Sequence, residues 1–446
     1  MSVIEHQAER VGKYQPYPEY NNSGYSWMAK IPSGWLNGPL KRIAYLQAGF
    51  AFKGDTFNTS EGVPIVRMNN ILNSGGLSLD DAVRVPEIDV KPEFYLATGD
   101  IVMGMSGSIE NIAKVQGDDL PCALNQRVGR FVLRAVDDGF LWYLIQSNGF
   151  KQQVSLAATG TAQLNISSDQ VGNTLVSWPV SLLEQNIIAA FLDYETARID
   201  RLIAQQQQLI ELLKEKRQAV ISHAVKPRPN EKHVKISYVI DLLTGFPFPS
   251  SEFKQSGENI IRLLRGVNVG VDQVKWDDTV FWDSQDCDSL KGYHLQCGDI
   301  VFGMDRPWIS NGARVAEISN DDMPCLLLQR VARIRANHLA YQSFIKLCLA
   351  SNEFRAYVEA DLTGVSVPHI SPEQIKNFII RDLCYEEQVS VTTDALNKLE
   401  KLRIIEQTAL NAIELIQERR TALISAAVTG KIDLRGWQPP KSEVAA

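Results

Sequence analysis

Two stretches of the chain, residues 181–225 and 384–428, contain no Gly or Pro and are dense in Leu, Ile, Ala, Gln, Glu, Lys and Arg, the composition of long helices. Stepping by seven through the first meets Leu192, Ile199, Gln206, Leu213 and Val220; in the second it meets Ala395, Leu402, Ala409, Ile416 and Leu423. All but Gln206 are apolar. A stripe held over four heptads predicts a coiled-coil seam, with Gln206 the kind of polar interruption that sets register. About 40 residues rising 1.5 Å each make a rod of roughly 60 Å, long enough to hold two domains apart. The outward charges Glu211, Lys214, Glu215, Lys216 and Arg217 suit either a solvated face with i,i+4 pairs or a face that docks partners.

Residues 36–180 and 235–383 read differently. Short apolar runs punctuated by Gly, Pro, Asn and Asp predict strands and turns with a few helices, hence two compact α+β domains. Lys226-Pro227-Arg228-Pro229-Asn230 closes the first helix and opens a linker over 226–234; Thr429-Gly430 closes the second and leaves a tail over 429–446. The N-terminal stretch through Pro39, which contains an extension over 1–35, and the tail beyond Trp437 are expected to run over the surface.

The chain is written twice, at an offset of about 200 residues. Gly49-Phe50-Ala51-Phe52 returns as Gly245-Phe246-Pro247-Phe248, and Ile65-Val66-Arg67-Met68 as Ile260-Ile261-Arg262-Leu263. Gly99-Asp100-Ile101-Val102 with Gly104-Met105 answers to Gly298-Asp299-Ile300-Val301 with Gly303-Met304. Gln126-Arg127-Val128, Thr159-Gly160 and Ile166-Ser167 pair with Gln329-Arg330-Val331, Thr363-Gly364 and Ile370-Ser371. So many islands in one order make each half a structural unit of domain plus helix.

Composition narrows the class. At 446 residues, 45% hydrophobic and 22% charged, the chain can bury several cores, and no apolar run approaches the roughly 20 residues of a membrane span. With no signal-peptide pattern, a cytoplasmic location is expected. Cys122, Cys287, Cys297, Cys325, Cys348 and Cys384 form no Cys-x-x-Cys pair, so they read as reduced thiols rather than a metal site or disulfides. There is no phosphate-binding loop, no Asn/Asp-Pro-Pro-Tyr/Phe methyltransferase signature and no His-Glu-x-x-His. A non-catalytic role is expected, though scattered carboxylates of a nuclease escape such a search.

Specific segments then resemble a family. Tyr17-Pro18-Glu19-Tyr20 with Ser23-Gly24, Trp27 and Ile31-Pro32-Ser33-Gly34-Trp35 resembles the opening of specificity subunits of Type I restriction-modification enzymes. The helix ends Arg217-Gln218-Ala219-Val220-Ile221-Ser222-His223-Ala224-Val225 and Arg420-Thr421-Ala422-Leu423-Ile424-Ser425-Ala426-Ala427-Val428, and the Gly-Asp-Ile-Val runs, are similar to the same family. The resemblance implies an α+β fold of two repeated α/β target-recognition domains, each followed by a long helix, the two helices forming an antiparallel coiled coil. It implies that each domain reads one half of a bipartite, asymmetric double-stranded DNA target. It also implies that two modification subunits dock on the helices. S-adenosylmethionine, ATP and Mg belong to the modification and restriction partners, and no cofactor to this chain. The opening motif has no clear copy before the second domain, where His233-Val234-Lys235-Ile236 leads straight in.

A formal net charge of −7 weighs against a nucleic-acid binder acting alone. It fits better a scaffold whose two domains bind proteins, the alternative from another class. A reader held on DNA by a partner, however, needs basic residues in only a few loops. Base reading uses Arg or Lys on guanine and Asn or Gln on adenine. The candidates in the first domain are Lys53, Arg67, Asn69, Asn70, Ser106, Ser108, Asn111, Lys114, Thr159, Gly160, Thr161 and Gln163. Those in the second are Lys254, Arg262, Arg265, Asn268, Arg306, Trp308, Asn311, Arg314, Thr363, Gly364 and His369. Arg67 and Arg262, aligned by the repeat, suit a phosphate clamp or a structural ion pair equally. Gln126-Arg127 and Gln329-Arg330 share that ambiguity and lean to structure. Trp308 suits a DNA wedge or packing on its own loop. Loop Ser106–Asn111 differs from its counterpart after Met304, so the two half-sites are expected to differ.

Overall fold

The computed structural model describes residues 14–25, 28–160, 163–283, 290–309, 312–360 and 368–440; Trp27 and Cys287 lie outside them. The chain divides into two units, Met1–Ala204 with Ile413–Ala446, and Gln205–Ala412.

In the first unit an antiparallel sheet has the strand order Ala44–Ala48, Val128–Leu133, Ile101–Gly104, Ile112–Lys114. The strand of the Gly-Asp-Ile-Val motif is buried throughout. Its residues alternate as a pleated strand must: Ile101 and Met103 enter the main core, while Val102 enters a second one with Val66 and Leu124. Asp100 in the motif accepts the Ala97 amide at 2.9 Å and pairs with Arg130 at 3.2 Å. A smaller mixed sheet joins Arg84–Val85, Val63–Val66 and Ala123–Leu124. Helices Asp138–Gln146 and Asn148–Ala157 meet at the buried Ser147, whose hydroxyl donates to the Leu144 carbonyl and caps the second helix through the Phe150 amide.

The second unit repeats this plan. Its sheet order is Ile240–Thr244, Val331–Ala336, Ile300–Gly303, Val315–Glu317, beside a mixed sheet of Val280–Asp283, Ile260–Leu264 and Cys325–Leu327. Ile300 and Phe302 face one core and Val301 the other. Asp299 caps the Gln296 amide and holds Arg335 through both oxygens. Ser351 joins helices Gln342–Ala350 and Asn352–Glu359 as Ser147 does in the first unit. The glycines of the Gly-Phe-x-Phe islands are forced by crowding, since a Cβ at Gly49 or Gly245 would stand 2.3 or 2.1 Å from a backbone carbonyl oxygen.

The long helices are Leu182–Val225 and Tyr385–Val428, 44 residues each. In the first unit Leu192 and Ile199 share a core with Leu423 and Ile424; in the second Ile221 and Val225 share one with Ala395. The start of each helix lies against the end of the other, so the pair is antiparallel. Leu192, Ile199, Leu213, Ala395, Ala409 and Leu423 are buried, and Gln206, Val220, Leu402 and Ile416 half-buried. Arg420 pairs with Asp200 at 3.0 Å across the first unit's end of the seam. No helix among the described residues is long and apolar enough to cross a membrane.

The described part of the N-terminal stretch, from Tyr14, is anchored in the first core rather than lying wholly on the surface. Tyr17, Met28, Ile31 and Trp35 are buried in the first core, and Trp35–Pro39 pairs with Leu175–Pro179. Their polar ends are satisfied: the Tyr17 hydroxyl and Trp35 Nε1 both donate to Glu184 Oε1, at 2.7 and 2.8 Å. Burial, then the Glu184 carboxylate, pushes the Tyr17 phenol above its ordinary value. The second domain has the same ribbon without the motif, His233–Lys235 on Ile379–Arg381. Arg381 in that ribbon clasps Glu231 with two 2.6 Å contacts and donates to the Ala224 carbonyl at 2.9 Å, closing the first long helix. That clasp holds the Glu231 carboxyl below its usual range.

Gln185 and Gln388 anchor the long helices at equivalent places. Buried Gln185 accepts the Asp137 amide and donates to the Pro179 carbonyl, both at 2.8 Å; buried Gln388 accepts the Tyr341 amide and donates to the Leu383 carbonyl, again at 2.8 Å. Gln185→Leu or Gln388→Leu is expected to cost roughly 1–3 kcal/mol by stranding a buried amide, read as a lower urea midpoint with an unchanged slope.

Candidate nucleic-acid interface

In the first unit three loops meet at the C-terminal end of the Ile101–Gly104 strand. The Gly107 amide donates to the Leu164 carbonyl at 2.8 Å, Ile166 to Met105 at 3.0 Å, and Met105 to Arg127 at 2.8 Å. Arg67–Asn70 closes the cluster: Met68 packs so near Gly107 that a Cβ there would be 2.9 Å from its methyl carbon. The second unit repeats the network, with Arg306 to Pro368 at 2.8 Å, Ile370 to Met304 at 2.9 Å and Met304 to Arg330 at 3.0 Å.

The strand registers place the repeat differently at one strand. Ile65 and Val66 lie beside Ala123 and Leu124, and Leu263 and Leu264 beside Leu326 and Leu327. The counterpart of Arg67 is therefore Arg265, not Arg262. The backbone amides of Arg67 and Arg265 each donate to the side-chain oxygen of an asparagine three residues on, Asn70 at 2.9 Å and Asn268 at 3.1 Å. Arg262 is committed elsewhere, donating to the Asp321 and Met323 carbonyls and lying 4.6 Å over Trp276.

Several expected contacts turn out to hold the loops together. Asn70 and Asn268 are buried and also donate to the Ser78 and Lys275 carbonyls at 2.9 Å. Asn111 and Arg314 do one job in the two units, donating to the Ile71 and Val269 carbonyls at 3.2 and 3.0 Å. Burial, then the neighbouring Arg306 charge, lowers the Arg314 pKa. Ser106 is buried on Asn165. Lys114 pairs with Asp138 at 3.1 Å, whose carboxyl that contact holds low. Arg265 pairs with Asp278 at 2.8 Å. Gly160 has φ +106°, and a Cβ there would be 2.3 Å from the Gln163 carbonyl, so it shapes its loop. Trp308 packs on its own domain, 6.4 Å from the Phe354 ring with Arg355 over its face, which favours the packing reading over a wedge.

Left exposed are Lys53, Arg67, Asn69, Ser108, Thr159 and Gln163 in the first unit, and Lys254 and Arg306 in the second. His369 is half-buried against Asp305. Thr161, Asn311, Thr363 and Gly364 lie outside the described residues. Gln126, Arg127, Gln329 and Arg330, read from the sequence as leaning to structure, are all exposed at the loop junctions; their recurrence in both repeats was the signal. Among the described residues no group of His, Cys, Asp and Glu could hold a metal ion. Burial pushes the Cys122 and Cys325 thiols up to about 12, which keeps them protonated.

Comparison with known proteins points one way. A family model of the Type I restriction modification DNA specificity domain matches residues 32–212. The chain is 33% identical over 180 residues to the EcoAI specificity subunit of Escherichia coli, covering 39% of this chain but only 30% of that protein. Against the EcoKI specificity subunit of Escherichia coli (strain K12) it is 25% identical over 430 residues, 90% of each chain. With the MjaVIII specificity subunit of Methanocaldococcus jannaschii it shares 30% over 179 residues, 38% of this chain and 41% of that one. Two solved chains share the fold at 16% identity. One, from a study of complex assembly and conformational transition in a type I R-M system, has a TM-score of 0.69 over 90% of this chain and 99% of its own. The HsdS subunit from Thermoanaerobacter tengcongensis has a TM-score of 0.51 over 90% and 98%.

The division between loop-holding and exposed side chains is testable by stability alone. Asn268→Ala is expected to cost roughly 1–3 kcal/mol, whereas Arg67→Gln should stay within about 0.5 kcal/mol of the parent. Equal losses in chemical denaturation would contradict the division.

Proposed function

We propose that the chain is a specificity subunit of a Type I restriction-modification enzyme, in line with its similarity to such subunits, and that it reads a bipartite, asymmetric DNA target and carries modification subunits to it. Each domain reads one half-site. The observation that carries this reading is the loop cluster built twice on one backbone network, with arginines exposed at equivalent junctions and different side chains around them. Fixed phosphate and backbone-holding contacts with variable base contacts are what two half-sites of different sequence require.

Two modification subunits dock on the long helices. Leu202, Leu209 and Leu212 on the first, and Ile404, Ile405, Leu410 and Leu415 on the second, are exposed apolar residues, and such faces mark interaction sites. The partners supply S-adenosylmethionine and adenine methylation; restriction subunits, where present, supply ATP-driven chemistry with Mg. This chain contributes recognition and no catalytic group, and works in the cytoplasm. Attraction to phosphate comes largely from the assembled complex, which reconciles a net charge of −7 with binding DNA.

Footprinting of the complex reconstituted with a modification subunit tests the reading. Protection of two short tracts is expected, and protection without sequence dependence would sink it. The isolated chain is expected to transfer no methyl group from S-adenosylmethionine. The helices give a further test: seven residues of matching heptad phase inserted near Gln205 to Gln208 add roughly 10 Å at 1.5 Å per residue. At about 3.4 Å per base pair, the spacer between half-sites should lengthen by up to about three pairs while both half-sites stay the same. An active variant with an unchanged spacer would show that the helices do not set the distance.

A further inference from the structure

The two domains build one joint from different side chains. In the first, Ser106 donates to Asn165. In the second those places are taken by Asp305 and His369, with His369 Nδ1 2.6 Å from Asp305 Oδ1; each pair also forms the same backbone bridge. Arg127 and Arg330 stand beside these pairs, their carbonyls receiving the Met105 and Met304 amides. The Arg127 guanidinium is exposed and has no partner among the described residues. Arg330 is held. Its Nη1 lies 3.3 Å from His369 Nδ1, 3.4 Å from Nε2 and 3.7 Å from Asp305 Oδ1. That nitrogen, almost equidistant from both ring nitrogens, is held against the imidazole, while the carboxylate balances the guanidinium charge. Among the described residues nothing is bonded to its Nε or Nη2, and the side chain is 57% exposed.

The backbone carries a second, independent signal. Arg306 has φ 45° and Arg330 φ 70°, the left-handed region that residues with a Cβ enter only under constraint. At the place of Arg306 the first domain has Gly107, which reaches φ 67° without that strain. Arg127, the counterpart of Arg330, keeps an ordinary negative φ. Two strained arginines with exposed side chains flank one acid–imidazole pair. Strain of this kind persists where the surroundings over-determine it, and it concentrates at binding sites.

We propose that Arg330 and Arg306 are the guanine-reading pair of the second domain, with Asp305 and His369 as positioning residues, and that the first domain offers only Arg127 at this place. The proposal rests on the reading of this chain as a DNA-recognition subunit. A guanidinium edge donates two parallel hydrogen bonds to guanine O6 and N7. Holding Arg330 in place before binding removes side-chain freedom that Arg127 must lose on the DNA. The half-site of the second domain should therefore contain a guanine whose recognition depends on Arg330, and tolerate less variation there than the first half-site does opposite Arg127.

The test maps methylated adenines genome-wide in cells carrying the full chain with its modification subunits, and measures methylation of duplexes with single-base changes. Arg330→Gln and Arg306→Gln should each relax one guanine in the second half-site by roughly ten- to hundred-fold, with the first half-site unchanged as a control for folding. Arg330→Lys keeps charge without the planar fork and should relax the same base. Asp305→Ser with His369→Asn, which gives the second domain the pair of the first, should raise KM several-fold while the base preference stays. If Arg330→Lys, or an active Arg330→Gln, keeps the parent second half-site, the proposal fails while the DNA-reading function stands. If the parent complex itself shows no sequence-dependent methylation, the function proposed above fails and takes this proposal with it.

Discussion

The constraint on which the structure depends is the burial of each long helix's end in the domain encoded by the other repeat. Ala426, Ala427 and Val428 are buried in the first unit, with Leu423 and Ile424 before them and Ile432 and Leu434 after. Ile221 and Val225 are buried in the second. The serine common to the two helix ends makes the polar part of the contact: Ser425 Oγ receives the Asn148 amide at 3.4 Å, and Ser222 Oγ receives the Asn352 amide at 3.0 Å. Both bonds meet the start of a helix, where amides lack intrahelical partners. Small residues around each serine let the backbone approach. Neither repeat therefore completes a core by itself, and the chain must close head to tail: the Asp433 amide donates to the Gln15 carbonyl at 2.8 Å, and Arg435 lies over the Tyr17 ring.

Once that closure is made, the rest of each domain serves to place one set of loops. The buried Gly-Asp-Ile-Val strand ends at the loop junction, its aspartate tied by a turn amide and an arginine in both units. Asn70 and Asn268, and Asn111 and Arg314, hold neighbouring loops by donating to backbone carbonyls. A side chain spent in this way has few hydrogen-bonding groups left for a base edge. What remains exposed differs between the units, so a common frame carries changeable tips.

The seam of the helices, the doubled domain and the α+β class were legible because each rests on periodicity or on recurrence, which survive in a linear string. Heptad spacing states which residues of a helix face a partner, whatever the partner is. The opening stretch was misread because Tyr, Pro, Asn and Ser signal surface by composition, whereas the Tyr17 and Trp35 rings are buried with their polar ends on Glu184, 167 and 149 residues away. The register of Arg262 was misread for a related cause. Both runs are apolar with an arginine after them, and only the parallel pairing of Arg262–Leu264 with Cys325–Leu327 selects Arg265 as the true counterpart of Arg67.

By itself, then, the sequence determined that there are two like domains and that two long helices pair, and it carried the motifs that resemble one family, since these follow from patterns repeated along the chain. Tertiary structure alone decided which polar residues are free. Gln126-Arg127 and Gln329-Arg330 are the same dipeptide in the same place, yet Arg330 meets an acid and an imidazole that stand 64 residues apart in sequence, and Arg127 meets neither. Whether a guanidinium is spent, held or left free depends on what the fold brings within about 4 Å of it, and a distance of that size is not written in one dimension.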